Sequence, residues 1–167
     1  MTLTVVGRER DEVFMKMALA EARQVARRGE VPVGAVVVDG TGLVLAGSGN
    51  RPIELHDPSG HAEMLAMRQA AAALGNYRLT GCTLYVTLEP CPMCAGAMVH
   101  ARLARVVFGA DDPKGGGLVS RYRIGSDGLL NHSLLIEGGV LAAEATALLR
   151  DFFREKRRKN NNGNVPG

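Results

Sequence analysis

A nearly uninterrupted run of apolar residues, Val33–Val38, restricts the fold of this chain more than any other feature. Such a run, rich in β-branched side chains, is typical of a strand that is covered on both faces. The strand therefore has to lie between other elements, as the strands of an α/β fold do. Hydrophobic residues make up 46% of the 167-residue chain, which is enough for one core of this kind.

Helical and extended patterns alternate along the rest of the chain, and the longest irregular stretch is a glycine-rich loop at 111–128. The predicted elements are a helix at 9–28, strands at 33–38 and 43–46, a helix capped by Ser59, a strand at 83–87, a helix at 91–101, strands at 104–108 and 133–136, and a helix from Leu141. Alternating strands and helices imply parallel crossovers. The sequence predicts one α/β domain over residues 1–157, followed by a frayed polar tail at 158–167.

The N-terminus and the cysteines bear on where the chain works. Arg8–Glu12 is charged where a secretory signal would be apolar, and no apolar stretch approaches the roughly 20 residues of a spanning helix. A cytoplasmic location without membrane contact is therefore expected. Three cysteines, an odd number, fit a disulfide framework poorly, so metal or redox chemistry is favoured.

Two short motifs carry the chemistry. One is His61-Ala62-Glu63 at a predicted helix start, and the other is the Cys91-x-x-Cys94 pair, flanked by prolines at the start of the next helix. Residues three apart on a helix share a face, and the positive end of the helix dipole stabilises thiolates. Cys91 and Cys94 are therefore predicted to bind one ion, with zinc the best match.

The number of ligands indicates catalysis. Cys82 would lie roughly 20 Å away along a strand, so it is predicted to be a buried small hydrophobe. His61, Cys91 and Cys94 remain as three ligands, the count of a catalytic zinc with one open position. Glu63 lies beside this site and is free to move protons. Alone, His61 is better explained as an ordinary satisfied histidine and Glu63 as a solvated acid; both motifs together favour the metal site.

A His-x-Glu followed by Pro-Cys-x-x-Cys resembles the signature of the cytidine deaminase-like zinc enzymes. Further segments make the chain similar to one family among them, the bacterial tRNA-specific adenosine deaminases. The likeness extends from about Glu12 to Arg157. It rests on the segments Glu30–Val36, Asn50–Pro52, His56–Pro58, His61–Glu63, Asn76–Leu79, Leu84–Met98, Val106–Ala110, Asn131–His132 and Leu148–Arg154.

This resemblance implies a fold and a reaction. The fold would be a three-layer α/β/α domain with a central mixed five-stranded sheet, assembled as a homodimer. The reaction would convert adenosine to inosine at the wobble position of a tRNA anticodon stem-loop, with release of ammonia. Zinc would activate a water that attacks C6 of the flipped base, and Glu63 would act as the proton shuttle.

The resemblance also implies four substrate contacts. Asn50 would contact the target nucleoside, Asp112 the ribose or a flanking nucleotide, and Phe153 and Arg154 the RNA. Plainer interpretations exist: Asn50 can cap a turn, and Asp112 can be an ordinary loop acid. Phe152, next to Phe153, fits a core stripe, and the basic run that includes Arg154 can be a solvated helix end. The segment 115–128 departs from the family pattern, so the fit of substrate beside Asp112 is in question.

Two alternative functions remain open. The same zinc chemistry serves deaminases of free bases or nucleosides such as guanine or cytosine. Five basic residues against one acid at 154–159, together with Asn50 and Asp112, favour RNA over these. A zinc module that binds RNA without catalysis is the other alternative, and the presence of Glu63 argues against it.

Overall fold

The structure is a computed structural model that describes the backbone of residues 2–163 and the side chains from residue 7 onward. It contains the following helices and strands in chain order: α1 (Thr2–Ala26), β1 (Gly34–Val38), β2 (Val44–Gly49), α2 (Pro52–Leu55), α3 (Ala62–Leu74), β3 (Thr83–Leu88), α4 (Pro92–His100), β4 (Arg105–Ala110), β5 (Leu135–Glu137) and α5 (Ala142–Asn162).

The five strands form one mixed sheet in the order β2-β1-β3-β4-β5. β1 pairs antiparallel with both β2 and β3, whereas β3, β4 and β5 are parallel. The β3-α4-β4 unit is the parallel crossover that the alternation predicts. Because β3 and β4 run in the same direction, the loops after both strands open at the same edge of the sheet, and the start of α4 lies there.

Helices cover both faces of the sheet, as the apolar β1 requires. Alternate residues of β1 face opposite sides: Val36 packs with Met15 and Leu19 of α1, whereas Val37 packs in the core that α3 and α4 share. Ala145 of α5 joins the α1 side. The predicted three-layer α/β/α fold with a mixed five-stranded sheet is confirmed.

Gly34 allows α1 to approach β1 closely. A Cβ atom at this position would lie 1.9 Å from the carbonyl oxygen of Ala18, so any other residue would push the helix off the sheet. The approach lets Ala18 and Ala22 of α1 become fully buried. No helix among residues 2–163 is long and apolar enough to cross a membrane.

Three local expectations are wrong. α1 begins seven residues before Glu9, so the acids near its expected start lie inside the helix. Ser59 does not cap α3, because its hydroxyl donates to Asp57 and His61 occupies the N-cap position. α5 continues to Asn162, so residues 158–162 of the expected frayed tail are helical, and 164–167 lie outside the described residues. Ion pairs from Glu155 to Arg158 and Lys159 support that last stretch of helix.

Candidate active site

His61 is held at the start of α3 by its neighbours. It is the N-cap residue in an extended conformation, and its backbone N–H donates to the carbonyl of Ser59 at 2.8 Å. The next N–H, that of Ala62, donates to Oδ1 of Asn50 at 2.9 Å. This bond satisfies one of the free N–H groups of the first turn and ties the end of β2 to α3. His61 is thereby fixed at the sheet edge where α4 begins.

Cys91 and Cys94 occupy the first turn of α4. Cys91 is its N-cap and Pro92 its first residue. The N–H of a first helical residue has no acceptor within the helix, so proline is tolerated there. Cys94 follows three residues later and is fully buried, whereas Cys91 is half-buried. The first turns of α3 and α4 therefore deliver an imidazole and two thiols to one point.

The three side chains have the geometry of a zinc site. Nδ1 of His61 lies 3.6 Å from Sγ of Cys91 and 3.5 Å from Sγ of Cys94. Zinc bonds of about 2.3 Å to sulfur and about 2.0 to 2.1 Å to nitrogen, at a tetrahedral angle, place such a pair about 3.6 Å apart. All three ligand atoms lie within 4.8 Å of one another, and they form the one such group found among the described residues. The donor set thus fits zinc with one position left open.

The electrostatics of the pair favour metal binding. Hydrogen bonds with the Cys94 thiol and with His61 outweigh burial and together lower the pKa of Cys91 to about 4, which favours the thiolate at neutral pH. The same interaction with Cys91, together with burial, raises the pKa of Cys94. A cation between the two sulfurs displaces that remaining proton, as metals do at cysteine sites. The positive ends of two helices add to the stabilisation of negative charge.

Glu63 lies in the same first turn as His61 but is not part of the ligand group. Only 4% of its surface is exposed, and this burial raises the pKa of its carboxyl. A raised pKa makes a carboxyl hold a proton more readily than an exposed one does, which suits a residue that carries protons during a reaction. Glu63 has the environment that a general acid/base requires.

His61, Glu63 and Cys91 line one cavity of about 290 Å³. That volume is close to the lower end of the range for small-molecule sites, about 300 to 1,000 Å³. The wall combines apolar side chains with a few polar groups, which suits a flat heterocycle with polar edges. The lining residues are Val31, Val33, Asn50, Pro52, His61, Glu63, Leu88, Glu89, Cys91 and Asp112.

The predicted substrate residues divide into two groups. Asn50 and Asp112 line the cavity. Asn50 also caps α3, so its plainer interpretation holds for the amide oxygen and leaves its NH₂ group for a ligand. Phe153 and Arg154 lie on the exposed side of α5 and do not line the cavity. Cys82 is 2% exposed and outside the ligand group, as predicted.

Residues 8–110 match the family described as the cytidine and deoxycytidylate deaminase zinc-binding region. The chain belongs to this family. The match covers all three ligands and Glu63, so zinc is the metal that this site binds. The predicted resemblance is confirmed.

Comparison with individual relatives and solved structures shows which members of the family this chain is similar to. The chain is 50% identical to a tRNA-specific adenosine deaminase of Agrobacterium fabrum, over 86% of this chain and 94% of the relative. It is 48% identical, with a TM-score of 0.79, to a structure from work on A-to-I editing by tRNA:A34 deaminases, covering 81% of this chain and 98% of that one. A guanine deaminase from Nitrosomonas europaea is 26% identical with a TM-score of 0.75, covering 84% and 83%.

The sequence analysis of this zinc-binding deaminase did not identify Glu89 as a residue of the active-site cavity. This residue ends the apolar run of β3, directly before Pro90, and is only 2% exposed. Burial by itself raises the pKa of Glu89, but hydrogen bonds from the Ser120 hydroxyl and from the N–H groups of Ser120, Val119 and Asp112 lower it overall. A charged residue directly after a buried strand is the signal that could have marked it. Its partners lie 23 to 31 positions away, and no local pattern reveals them.

Proposed function

We propose that this chain deaminates adenosine to inosine at the wobble position of a tRNA anticodon stem-loop. The observation that carries the proposal is the ligand group of His61, Cys91 and Cys94 next to a small cavity whose wall includes His61, Cys91 and the buried Glu63. Similarity to tRNA-specific adenosine deaminases over most of both chains supports adenosine in tRNA as the substrate. Since tRNA is its substrate, we place the enzyme in the cytoplasm.

The residues divide the hydrolysis between binding and proton transfer. His61, Cys91 and Cys94 would hold zinc, which would supply a Lewis acid that activates water. Glu63 would accept one proton from the water and pass it to N1 of the base, and it would then pass the second proton of the water to the 6-amino group. A C–O bond forms at C6, the C–N bond breaks, and ammonia leaves. The cavity wall keeps the base oriented, with the NH₂ group of Asn50 and the carboxylate of Asp112 as candidate contacts to base and ribose.

A basic surface beside α5 supports RNA as the substrate. Arg27 at the end of α1 and Lys156 and Lys159 of α5 line a surface cavity of about 230 Å³. On α5, Phe153 is 41% exposed and Arg154 is exposed as well. Exposed aromatic and basic side chains stack on bases and neutralise phosphates, which a free-base enzyme does not require.

We propose further that the chain forms a homodimer through α3 and α4. An apolar groove of about 300 Å³ lies between these helices and includes Met64, Met67, Ala71 and Ala97. Tyr77, at its edge, is 69% exposed. Contiguous apolar surface of this kind is typical of a contact face. The same two helices carry the zinc ligands, so a second copy seated here would adjoin both active sites.

The proposed function is tested by a substrate panel. The purified zinc enzyme is incubated with an anticodon stem-loop that carries a wobble adenosine, and in parallel with adenine, guanine, cytosine and cytidine. Inosine in the stem-loop and ammonia from that sample alone are expected. Ammonia from a free base without inosine in the stem-loop would replace tRNA editing by base deamination. No turnover of any substrate at full zinc content would favour a non-catalytic RNA-binding module.

A further inference from the structure

Both carboxylate oxygens of Glu89 accept hydrogen bonds from one loop, at residues 112–120. Oε2 accepts the backbone N–H groups of Leu118 at 3.3 Å, Val119 at 3.0 Å and Ser120 at 3.0 Å. Oε1 accepts the N–H of Asp112 at 3.3 Å and the hydroxyl of Ser120. A carboxylate offers about four lone-pair positions, so the loop at 112–120 occupies the whole acceptor capacity of Glu89.

Two glycines let this loop approach Glu89 and α4. A Cβ atom at Gly116 would lie 2.1 Å from Oε2 of Glu89, and one at Gly117 would lie 2.7 Å from the backbone nitrogen of Pro92. The N–H of Gly117 also donates to the carbonyl of Pro90 at 2.7 Å. The glycines that depart from the family pattern thus serve a close contact between the loop and the zinc-binding turn.

The contacts between Glu89 and the loop place Asp112 at the wall of the active-site cavity. Its Oδ1 accepts the N–H groups of Lys114 and Gly115, both at 3.1 Å, so the side chain is fixed within the loop. Asp112 and Glu89 both line the cavity that holds Glu63. The side chain of Glu89 therefore links the strand that leads to Cys91 with the loop that carries Asp112, and the bond from Gly117 to Pro90 adds a backbone contact between the same segments.

We propose that Glu89 is a positioning residue for the deamination. Its carboxylate holds the loop at 112–120 against the start of α4, and this fixes Asp112 as one wall of the substrate cavity. Because Asp112 is taken as a substrate contact, the inference rests on the proposed function. Glu89 acts through Asp112, and its own acceptor sites are already filled by protein donors.

Asp39 provides a matched control. Its Oδ1 accepts two N–H groups and one hydroxyl in the β1–β2 turn, from Thr41 and Leu43, so it also holds a loop through a carboxylate. The active-site cavity does not include it. Both oxygens of Glu89 accept hydrogen bonds, so Glu89→Gln places an NH₂ group against N–H donors. All three bonds of Asp39 end on Oδ1, so Asp39→Ala is the control that removes the contacts of its turn. A loss of activity in the Glu89 variant but not in the Asp39 variant shows that the effect depends on the position of the loop beside the active site.

The test is a double-mutant cycle on the zinc-loaded enzyme, with the stem-loop as substrate. Glu89→Gln and Asp112→Ala should each lower kcat/KM at least about tenfold, since small misplacements in an active site have effects of this size. The double variant should be no more than about threefold worse than either single variant, because both changes remove one contribution. Zinc should stay at one ion per chain, and Asp39→Ala should keep its activity within about twofold of wild type.

Hydrogen exchange provides a second measurement that does not depend on turnover. In Glu89→Gln the amides of Leu118, Val119 and Ser120 should exchange faster than in wild type, whereas the amides of α4 should not. Additive effects of Glu89→Gln and Asp112→Ala, loss of zinc in Glu89→Gln, or unchanged exchange at these amides would each overturn the proposal. If Glu89→Gln does not fold, Ser120→Ala removes a single donor. It must then show a smaller loss of activity that is also non-additive with Asp112→Ala, or the proposal fails.

Failure of the proposed function has a different result. In that case wild-type enzyme rejects the stem-loop and deaminates a free base, and the same cycle is run on that base. Non-additivity there upholds the role of Glu89 with a different substrate, and additivity overturns it.

Discussion

Nδ1 of His61 lies 3.5 Å from Sγ of Cys94, although the two residues are 33 positions apart and belong to the first turns of different helices. The parallel β3-α4-β4 crossover and the bond from Ala62 to Asn50 bring these two turns together. The separation is that of two ligands on one tetrahedral zinc ion. The packing of α3 and α4 on the sheet therefore places the three metal ligands next to one another.

Loss of a cysteine ligand should remove zinc and stability together. Cys94→Ala leaves one thiolate and one imidazole, which hold zinc poorly. Zinc content measured by elemental mass spectrometry should fall well below one ion per chain, and the melting temperature should fall by about 10 °C. Cys82→Ala is the matched control, because Cys82 is also buried yet lies outside the site. Full zinc content in Cys94→Ala would contradict the ligand assignment.

Removal of Phe153 and Arg154 should weaken RNA binding without affecting the chemistry. Phe153→Ala should raise KM for the stem-loop about tenfold, since stacking of a base is worth about 1 to 3 kcal/mol. Arg154→Ala should raise KM less and reduce the slope of log KM against log salt by about one. Arg8→Ala, an exposed arginine of α1, is the control. An unchanged KM and salt slope in both variants would remove these residues from the RNA surface.

The proposed dimer face can be tested with two arginines on one helix. Ala71 lines the apolar groove, whereas Ala73 is exposed and outside it. Ala71→Arg should give a monomer, because a charge is placed in an apolar contact. Ala73→Arg should remain at twice the chain mass of 17.7 kDa. Light scattering after gel filtration measures this, and a monomeric wild type or a dimeric Ala71→Arg would contradict the interface.

A buried ion pair far from the zinc should make stability depend on pH. Asp11 is 2% exposed, accepts the hydroxyl of Tyr85 at 2.8 Å, and is paired with Arg105 at 2.6 Å. Burial alone raises the pKa of Asp11, but the bonds from Arg105 and Tyr85 and the charge of Arg10 lower it overall. Arg105 also pairs with Glu137 of β5. The network joins α1 to three strands.

Because the folded pKa of Asp11 lies below its ordinary value, its contribution is complete above about pH 4 and is lost as the pH falls through the folded pKa. Asp11→Asn should lower the free energy of unfolding by about 3 kcal/mol at pH 7. The difference from wild type should shrink at pH 3. Urea unfolding at both pH values measures it, and a difference that grows on acidification would contradict the sign.

The sheet and the zinc site could be predicted because their signals are local. The apolar β1, the alternation of strands and helices, and the two ligand motifs at helix starts each occupy a few neighbouring residues. Cys82 could be excluded from the site by chain geometry alone. These features follow from the periodicity of apolar residues and from the spacing of the ligand residues, and a single sequence contains both.

Other features depend on contacts between distant segments. The sequence predicts Ser59 as the N-cap of α3, but the hydroxyl of Ser59 donates to Asp57, and the N–H of Ala62 in the first turn of α3 donates to Oδ1 of Asn50, which directly follows β2. The role of Glu89 requires a loop 23 to 31 positions away. The four-residue helix α2 is held by two bonds from its N–H groups to the buried Glu30. Such partners become visible only when the chain is folded.

The central claim is that Glu63 moves protons at a zinc site that it does not help to hold. Glu63→Gln keeps the shape of the side chain and removes its acid/base function. The measurement is the single-turnover rate of inosine formation in the stem-loop together with zinc content on the same sample. We expect the rate to fall by at least about 100-fold while zinc remains at one ion per chain. A near wild-type rate at full zinc content would contradict the mechanism, and loss of zinc would show that Glu63 is a ligand.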